Sequence, residues 1–183
     1  LLQGRSDIGR QGPACTLLGL HIRYSVFLRQ KLLFKLFCIL AGRDLVAAGT
    51  WLGITRKGRI ATVTNYRDPT NVKPEAPSRG KLVSDFLLSD LDSISYLEPI
   101  RREKDRYNGF NLIVGNRERI TYYSNRSDMV TQLSSGIYGL SNHLLDTPWP
   151  KVVRAKALFQ EILLSEKDLN VEAVFRLLKD QTI

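Results

Sequence analysis

The sequence of 183 residues lacks the features that define several classes of protein. It contains no run of about 18 apolar residues, and Lys35 interrupts its most hydrophobic stretch, so no segment is predicted to span a membrane. Its two cysteines, Cys15 and Cys38, are too few for a disulfide scaffold and lack the spacing of a zinc site. This scarcity is typical of a reducing compartment, so we expect a cytoplasmic protein whose thiols are buried or idle.

Methionine is almost absent as well. The chain starts at Leu1, and its single methionine is Met129. We therefore expect the sequence to be a fragment that has lost its natural start.

What the sequence does contain is typical of one globular domain. Hydrophobic residues make up 43% of the chain and charged residues 25%, close to the averages for folded proteins. The length suits a single domain with a sizeable core. These values argue against disorder, collagen-like repeats and coiled coils.

Basic residues are concentrated at the start of the chain. The formal net charge is +9, and residues 1–37 hold six basic residues against one acidic residue, which accounts for +5 of it. Residues 1–38 have three open interpretations: a targeting or membrane-surface element, a nucleic-acid-binding arm, or misread or disordered sequence outside the domain. The change of character near Ile39 and the lack of an initiator methionine favour the third.

The rest of the chain carries a modest charge for its length. Its aromatic residues do not interleave with lysine and arginine in any recognisable nucleic-acid-binding motif. We therefore predict neither nucleic acid nor a membrane as a partner.

Apolar patterning from residue 39 onward alternates between strand and helix signals. Runs of β-branched and aromatic residues predict two hairpins, at 50–66 and 110–124, and a further strand at 137–141. Residues 67–80 contain three prolines and form a predicted loop of the kind that often carries function. Grouped hairpins and grouped helices predict an α+β protein with antiparallel strands. The predicted helices lie at 82–87, 93–97, 151–163 and 171–178.

Eight short motifs occur in the order and spacing of one known family. Any one of them is a weak signal, whereas the ordered set over about 110 residues exceeds chance. Through these motifs, residues 39–183 resemble the NRDE family, also called the transport and Golgi organisation 2 family. The motifs are Gly42-Arg43-Asp44-Leu45, Gly49-Thr50-Trp51-Leu52-Gly53, Thr64-Asn65-Tyr66-Arg67-Asp68, Ser78-Arg79-Gly80, Tyr107-Asn108-Gly109-Phe110-Asn111-Leu112, Ser124-Asn125-Arg126, Tyr138-Gly139-Leu140-Ser141-Asn142 and Thr147-Pro148-Trp149-Pro150-Lys151.

The resemblance implies an N-terminal-nucleophile-hydrolase-like αββα sandwich with antiparallel sheets, truncated in this sequence. The related cysteine hydrolases cleave amide bonds with a cysteine that follows the initiator methionine and uses its own α-amino group as base. Here no cysteine follows an initiator methionine and no Asn-Arg-Asp-Glu signature occurs. Because family members usually continue into further strands, the domain at 39–183 is predicted to be partial and incomplete at both ends.

No catalytic residue is predicted, but the resemblance to the wider cysteine hydrolases identifies two candidates for a ligand pocket. Asn65 and Asn142 are placed where an amide can donate a hydrogen bond to a carbonyl or an oxyanion. The alternative, left equally open, is that Asn65 ends a strand and Asn142 caps a turn.

Four charged residues are weaker candidates for the same site. They can form a rim for an anionic ligand, although solvated loop charges are the favoured explanation. They are Arg67, Asp68, Arg79 and Arg126.

No metal site or resident cofactor is predicted. His143 follows Asn142 and is interpreted as an exposed loop side chain, not a haem or metal ligand. Trp51 and Trp149 are interpreted as packing residues. Haem as a transported ligand is an implication of the family that no residue of this sequence supports.

Two functional hypotheses follow. The first is a truncated family member of unassigned biochemical role, non-catalytic as written, from a family that resemblance links to Golgi organisation, secretion and haem trafficking. The alternative is an N-terminal cysteine amidohydrolase of N-acyl amides whose nucleophile-bearing start is absent from this sequence. In both cases the expected partner is a small molecule or an acyl amide.

Overall fold

The computed structural model describes residues 31–32, 39–165 and 169–179. Cys15 and Cys38 and most of the basic segment at 1–38 lie outside these residues. None of the described helices combines the length and the apolar character needed to cross a bilayer. The elements are β1 (Lys31–Leu32), β2 (Ile39–Arg43), β3 (Leu52–Thr55), β4 (Ile60–Asn65), α1 (Gly80–Leu88), α2 (Ser93–Arg102), a 3-10 turn (Lys104–Arg106), β5 (Phe110–Gly115), β6 (Ile120–Ser124), β7 (Met129–Leu133), α3 (Pro150–Ser165) and α4 (Val171–Leu178).

The strands form an antiparallel sheet in which each strand pairs with the next one along the chain. Strands β2 to β7 make up its body, and the two-residue β1 pairs with the end of β2. At the centre, β4 pairs with β5 over six residues, with Thr62 opposite Ile113. The two predicted hairpins and the α+β class with antiparallel strands are confirmed.

One face of the sheet holds the main core. Alternate residues of the central strands, such as Val63, Leu112 and Tyr123, point to the same side. Helices α1 and α2 cover that side with Phe86 and Leu97, which are almost fully buried. The helical spacing of the apolar residues in α1 therefore has a direct physical cause, the burial of one stripe against the sheet.

The opposite face, which we call the second face, has a smaller apolar cluster. Ile113 and Tyr122 project from the strands, and Leu140 covers them from the segment that follows β7. The described residues contain one sheet, so the second sheet of an αββα sandwich is not among them, and the sandwich stays a prediction.

The predicted strand at 137–141 is wrong. This segment pairs with no strand among the described residues, and Met129–Leu133 form the edge strand β7 instead. The backbone of Gly139 is bonded locally, because its N–H donates to Asp146 Oδ1 and its C=O accepts from Asp146 N–H. β-propensity reflects fit to a half-buried pleated surface more than an intrinsic backbone preference, so tertiary context decided the assignment.

Neighbouring leucines at the end of α1 provide a test of where the core lies. Leu87 is 5% exposed and Leu88 is 51% exposed. We expect Leu87→Ala to lower the free energy of unfolding by about 3 kcal/mol, because it removes buried methyl groups and leaves a cavity. Urea denaturation measures the loss. Leu88→Ala is the matched control and should change stability by less than about 0.5 kcal/mol, and equal losses in both variants would contradict this packing.

Candidate functional site

A buried hydrogen-bond network joins the second face to the segment after β7. Asn111 is fully buried in β5, and its Oδ1 accepts from the Tyr122 hydroxyl at 2.8 Å. Its Nδ2 donates to the His143 carbonyl at 2.9 Å and to Thr64 Oγ1 at 3.3 Å. The Tyr122 oxygen accepts in turn from the backbone N–H of Leu145 at 3.1 Å. Residues of three strands and one loop therefore share a single polar cluster.

Burial determines the protonation state of the Tyr122 hydroxyl in this cluster. Burial of the phenol raises the pKa of Tyr122, and the hydrogen bond from Leu145 only partly opposes this effect. The hydroxyl consequently stays protonated at neutral pH. It acts as a structural donor to Asn111.

His143 connects to the second face through its ring. Its Nε2 lies 2.9 Å from the Tyr66 hydroxyl and its Nδ1 lies 2.8 Å from Thr147 Oγ1. The Leu144 carbonyl lies 2.8 Å from Thr147 Oγ1 and can only accept, so the arrangement that satisfies both contacts has Thr147 donating to that carbonyl and accepting from His143 Nδ1–H. In neutral His143 the Nε2 atom then carries no proton and accepts from Tyr66.

The interpretation of His143 as an exposed loop side chain is wrong. The ring is half-buried and lies between two aromatic rings, with centroid distances of 4.8 Å to Tyr66 and 5.8 Å to Trp149. Binding of a metal or haem iron at either nitrogen would break one of its two hydrogen bonds. Among the residues that the structure describes, no group of three or more histidine, cysteine, aspartate or glutamate residues is arranged to hold a metal ion.

Asn65 and Asn142 lie side by side. Asn142 Nδ2 donates to the Asn65 carbonyl at 3.2 Å, and the Arg67 N–H donates to the Asn142 carbonyl at 2.8 Å. Both asparagines are exposed. Asn142 therefore ties the loop to the end of β4, and a ligand-binding role for either side chain stays a prediction.

Three of the four charged candidates make contacts within the protein. Arg126 Nη2 pairs with Asp68 Oδ2 at 3.0 Å, whereas the buried Arg126 Nε has no hydrogen-bond partner in the described part of the chain. Arg79 donates to the Gly109 carbonyl at 3.0 Å, and burial lowers the pKa of its guanidinium. Arg67 is exposed. Asp68, Arg79 and Arg126 therefore contact groups of the protein itself, and anion binding by the four residues stays a prediction.

A cleft of about 390 Å³ opens on the second face beside the buried network. Thr62 and Thr64 lie at its floor, and residues 133–140 form one wall. Arg117 and Glu118 of the turn between β5 and β6 also line it. The apolar lining comprises Ile113, Ile120, Leu133, Ile137, Leu140, Leu145 and Phe159. Neither Asn65 nor Asn142 lines this cleft.

Packing of α3 completes the wall of the cleft. Gly139 lies against Val152, where an added Cβ would come within 2.4 Å of Val152 Cγ1. Only glycine allows this close approach. The contact brings α3, and with it Phe159, to the cleft.

The two threonines at the floor differ in what they offer a ligand. The Thr62 hydroxyl donates to the Trp51 carbonyl at 3.0 Å, so its proton is already used. Thr64 Oγ1 accepts from Asn111, and its own proton has no acceptor among the described residues. Thr64 therefore presents a hydrogen-bond donor beside the apolar side chains of the cleft, whose other polar lining residues include Arg117, Glu118, Ser134 and Ser135.

Sequence reasoning missed the residues that build this site. Four polar side chains project from the strands on the second face. They are Thr62, Thr64, Asn111 and Tyr122. A pattern in the sequence could have identified them. Polar residues occupy alternate positions of strands in which the remaining positions are strongly apolar. What the sequence could not supply was the loop that covers them.

Comparison with known proteins identifies the family of the chain. The model of the family described as Transport and Golgi organisation 2 matches residues 34–183. This chain belongs to that family. The resemblance inferred from the eight motifs is confirmed, and the family match begins five residues before Ile39.

Named relatives from three mammals agree with this assignment. The chain is 42% identical over 151 residues to the mouse (Mus musculus) protein named Transport and Golgi organization 2 homolog, a match that covers 78% of this chain and 54% of the relative. It is 41% identical to the Homo sapiens relative over the same length and coverage. The Bos taurus relative is 42% identical over 145 residues, or 74% of this chain and 52% of its own. The chain thus spans about half the length of the family members it matches.

The buried network makes a testable contribution to stability. Asn111→Ala should lower the free energy of unfolding by about 2–4 kcal/mol, because Tyr122 and the His143 carbonyl lose their partner without becoming solvated. Urea denaturation measures this loss, and hydrogen exchange at the Leu145 amide should accelerate. Asn65→Ala is the control, since that exposed side chain has no hydrogen bond in the described structure. An unchanged exchange rate in Asn111→Ala would contradict the network.

Proposed function

We propose that this chain binds a small acyl amide in the cleft of the second face and does not turn it over. The observation that carries the proposal is the Thr64 hydroxyl, whose proton has no described acceptor and which lies beside the apolar side chains of a cleft lined by both apolar and polar residues. Clefts of a few hundred cubic ångströms that combine apolar side chains with placed polar groups are typical small-molecule sites.

The lining defines the chemistry of the ligand. Ile113, Ile120 and Leu133 offer an apolar surface to an alkyl chain. An amide carbonyl next to Thr64 can accept from it, which provides this half-buried hydroxyl proton with an acceptor that it otherwise lacks within the described structure. A ligand with an alkyl chain and one carbonyl satisfies both requirements.

The absence of turnover follows from the surroundings of Thr64. A threonine nucleophile needs a base that takes its proton, and the neighbouring Asn111 amide donates to Thr64 instead. The basic nitrogen of His143 is occupied by Tyr66. The amidohydrolase alternative depends on a cysteine, and both cysteines lie outside the described residues.

The cellular part of the proposal comes from the relatives. Their names refer to transport and Golgi organisation, and we extend that role to this chain. We also place it in the cytoplasm, because the sequence has few cysteines. Transport of haem is not part of the proposal, since both nitrogens of His143 are already bonded.

Calorimetric titration with N-methyloctanamide tests the binding site. We expect Thr64→Val to raise Kd about ten-fold, the effect of one lost hydrogen bond. Ile137→Trp should abolish binding by filling the cleft. Thr131→Val alters an exposed threonine of β7 and is the matched control. Binding that is unaffected by Thr64→Val and Ile137→Trp would place the ligand elsewhere.

The same titration separates binding from hydrolysis. After prolonged incubation we expect the amide to be recovered intact, as measured by chromatography of released octanoate. Octanoate release that disappears in Cys38→Ala would instead establish the amidohydrolase.

A further inference from the structure

Two hairpin turns lie next to each other at one end of the sheet. Arg56–Arg59 joins β3 to β4, and Asn116–Arg119 joins β5 to β6. Because β4 and β5 are antiparallel neighbours, Ile60 faces Gly115, and the two turns are adjacent. We call these eight residues the paired basic turns.

Gly58 holds the two turns in contact. Its φ of +82° is a conformation that side-chain-bearing residues rarely adopt. The Arg117 side chain crosses it, so that a Cβ added at Gly58 would lie 3.1 Å from Arg117 Cγ. The cations of both turns therefore share one surface.

Four cations of this surface form no ion pair within the described structure. Arg56, Lys57, Arg117 and Arg119 are exposed and have no ion-pair partner among the described residues. Glu118 is the one acidic residue in the two turns.

Arg59, the fifth cation, is used inside the protein. Its guanidinium lies 4.0 Å from the centre of the Phe86 ring and donates to the Phe86 and Leu91 carbonyls. Asp90 and Asp92 are the acidic groups that act on it. Asp92 and Glu118 line one cleft together with Arg119, so the proposed contact rests mainly on Arg56, Lys57 and Arg117.

Exposed apolar side chains border the cations. Leu88 and Leu91 are about half exposed, and the bond from Arg59 to the Leu91 carbonyl fixes that loop beside the turns. Basic residues next to exposed leucines are typical of surfaces that contact a lipid headgroup layer. The turns contain no aromatic residue on which a base could stack, which argues against nucleic acid.

We infer that the paired basic turns dock the protein on a membrane surface that contains anionic phospholipids. The cations contact headgroup phosphates, and Leu88 and Leu91 reach the apolar boundary. This differs from the sequence-based expectation of no membrane partner, which considered spanning segments and a membrane-surface role for residues 1–38 but no docking surface on the folded sheet. The inference is independent of the ligand proposed for the cleft.

Sedimentation with phosphatidylcholine vesicles containing about one-third phosphatidylserine tests this surface, with the full chain in every arm. Lys57→Gln/Arg117→Gln should reduce the vesicle partition coefficient on the order of 25-fold, or about five-fold for each cation removed near the surface. Wild-type binding should fall steeply with added salt. Pure phosphatidylcholine vesicles should bind neither protein.

A matched control removes the same charge elsewhere. Arg102→Gln/Arg106→Gln alters two exposed arginines that are paired with Glu98 and Glu103, and binding should fall less than about two-fold because distant charges are screened. Equal losses in both double variants would assign binding to net charge and overturn the inference. Unchanged binding in Lys57→Gln/Arg117→Gln would overturn it too. Binding would then have to be tested for the basic residues at 1–38. Thermal unfolding should be unchanged in the turn variant, since neither side chain has an ion-pair partner in the described structure.

Discussion

Asn111 has no access to water, and every hydrogen bond of its amide must therefore be made inside the protein. The Tyr122 hydroxyl, Thr64 Oγ1 and the His143 carbonyl supply the partners. A buried polar group without such partners would cost on the order of a lost hydrogen bond or more. This requirement holds the loop around His143 and Leu145 against the sheet, and the loop in turn forms the wall of the cleft.

The two faces of the sheet are stabilised by different interactions. On the helix side, apolar side chains of β4, β5 and β6 are buried by α1 and α2, which is a non-directional effect proportional to area. On the second face, directional hydrogen bonds select one arrangement of an irregular loop. The cleft can exist beside this network because polar contacts, and not close packing alone, position its covering segment.

The candidate ligand site and the basic surface meet at one turn. Arg117 and Glu118 line the cleft, and both belong to the paired basic turns. A membrane docked at these turns would therefore lie near the cleft. Family membership is consistent with either property alone, since a fold can carry many different sites.

The sequence by itself determined the family, the α+β class, the two central hairpins and the helices, because period-2 and period-3.6 apolar patterns are local signals. It also brought attention to Asn65 and Asn142, which are neighbours in the structure. Tertiary structure alone decided that 129–133 is the edge strand and 137–141 is a covering loop, and that His143 is enclosed by Tyr66 and Thr147. The physical reason is that hydrogen-bond partners far apart in the chain, such as Thr64, Asn111 and His143, leave no periodic trace in the sequence.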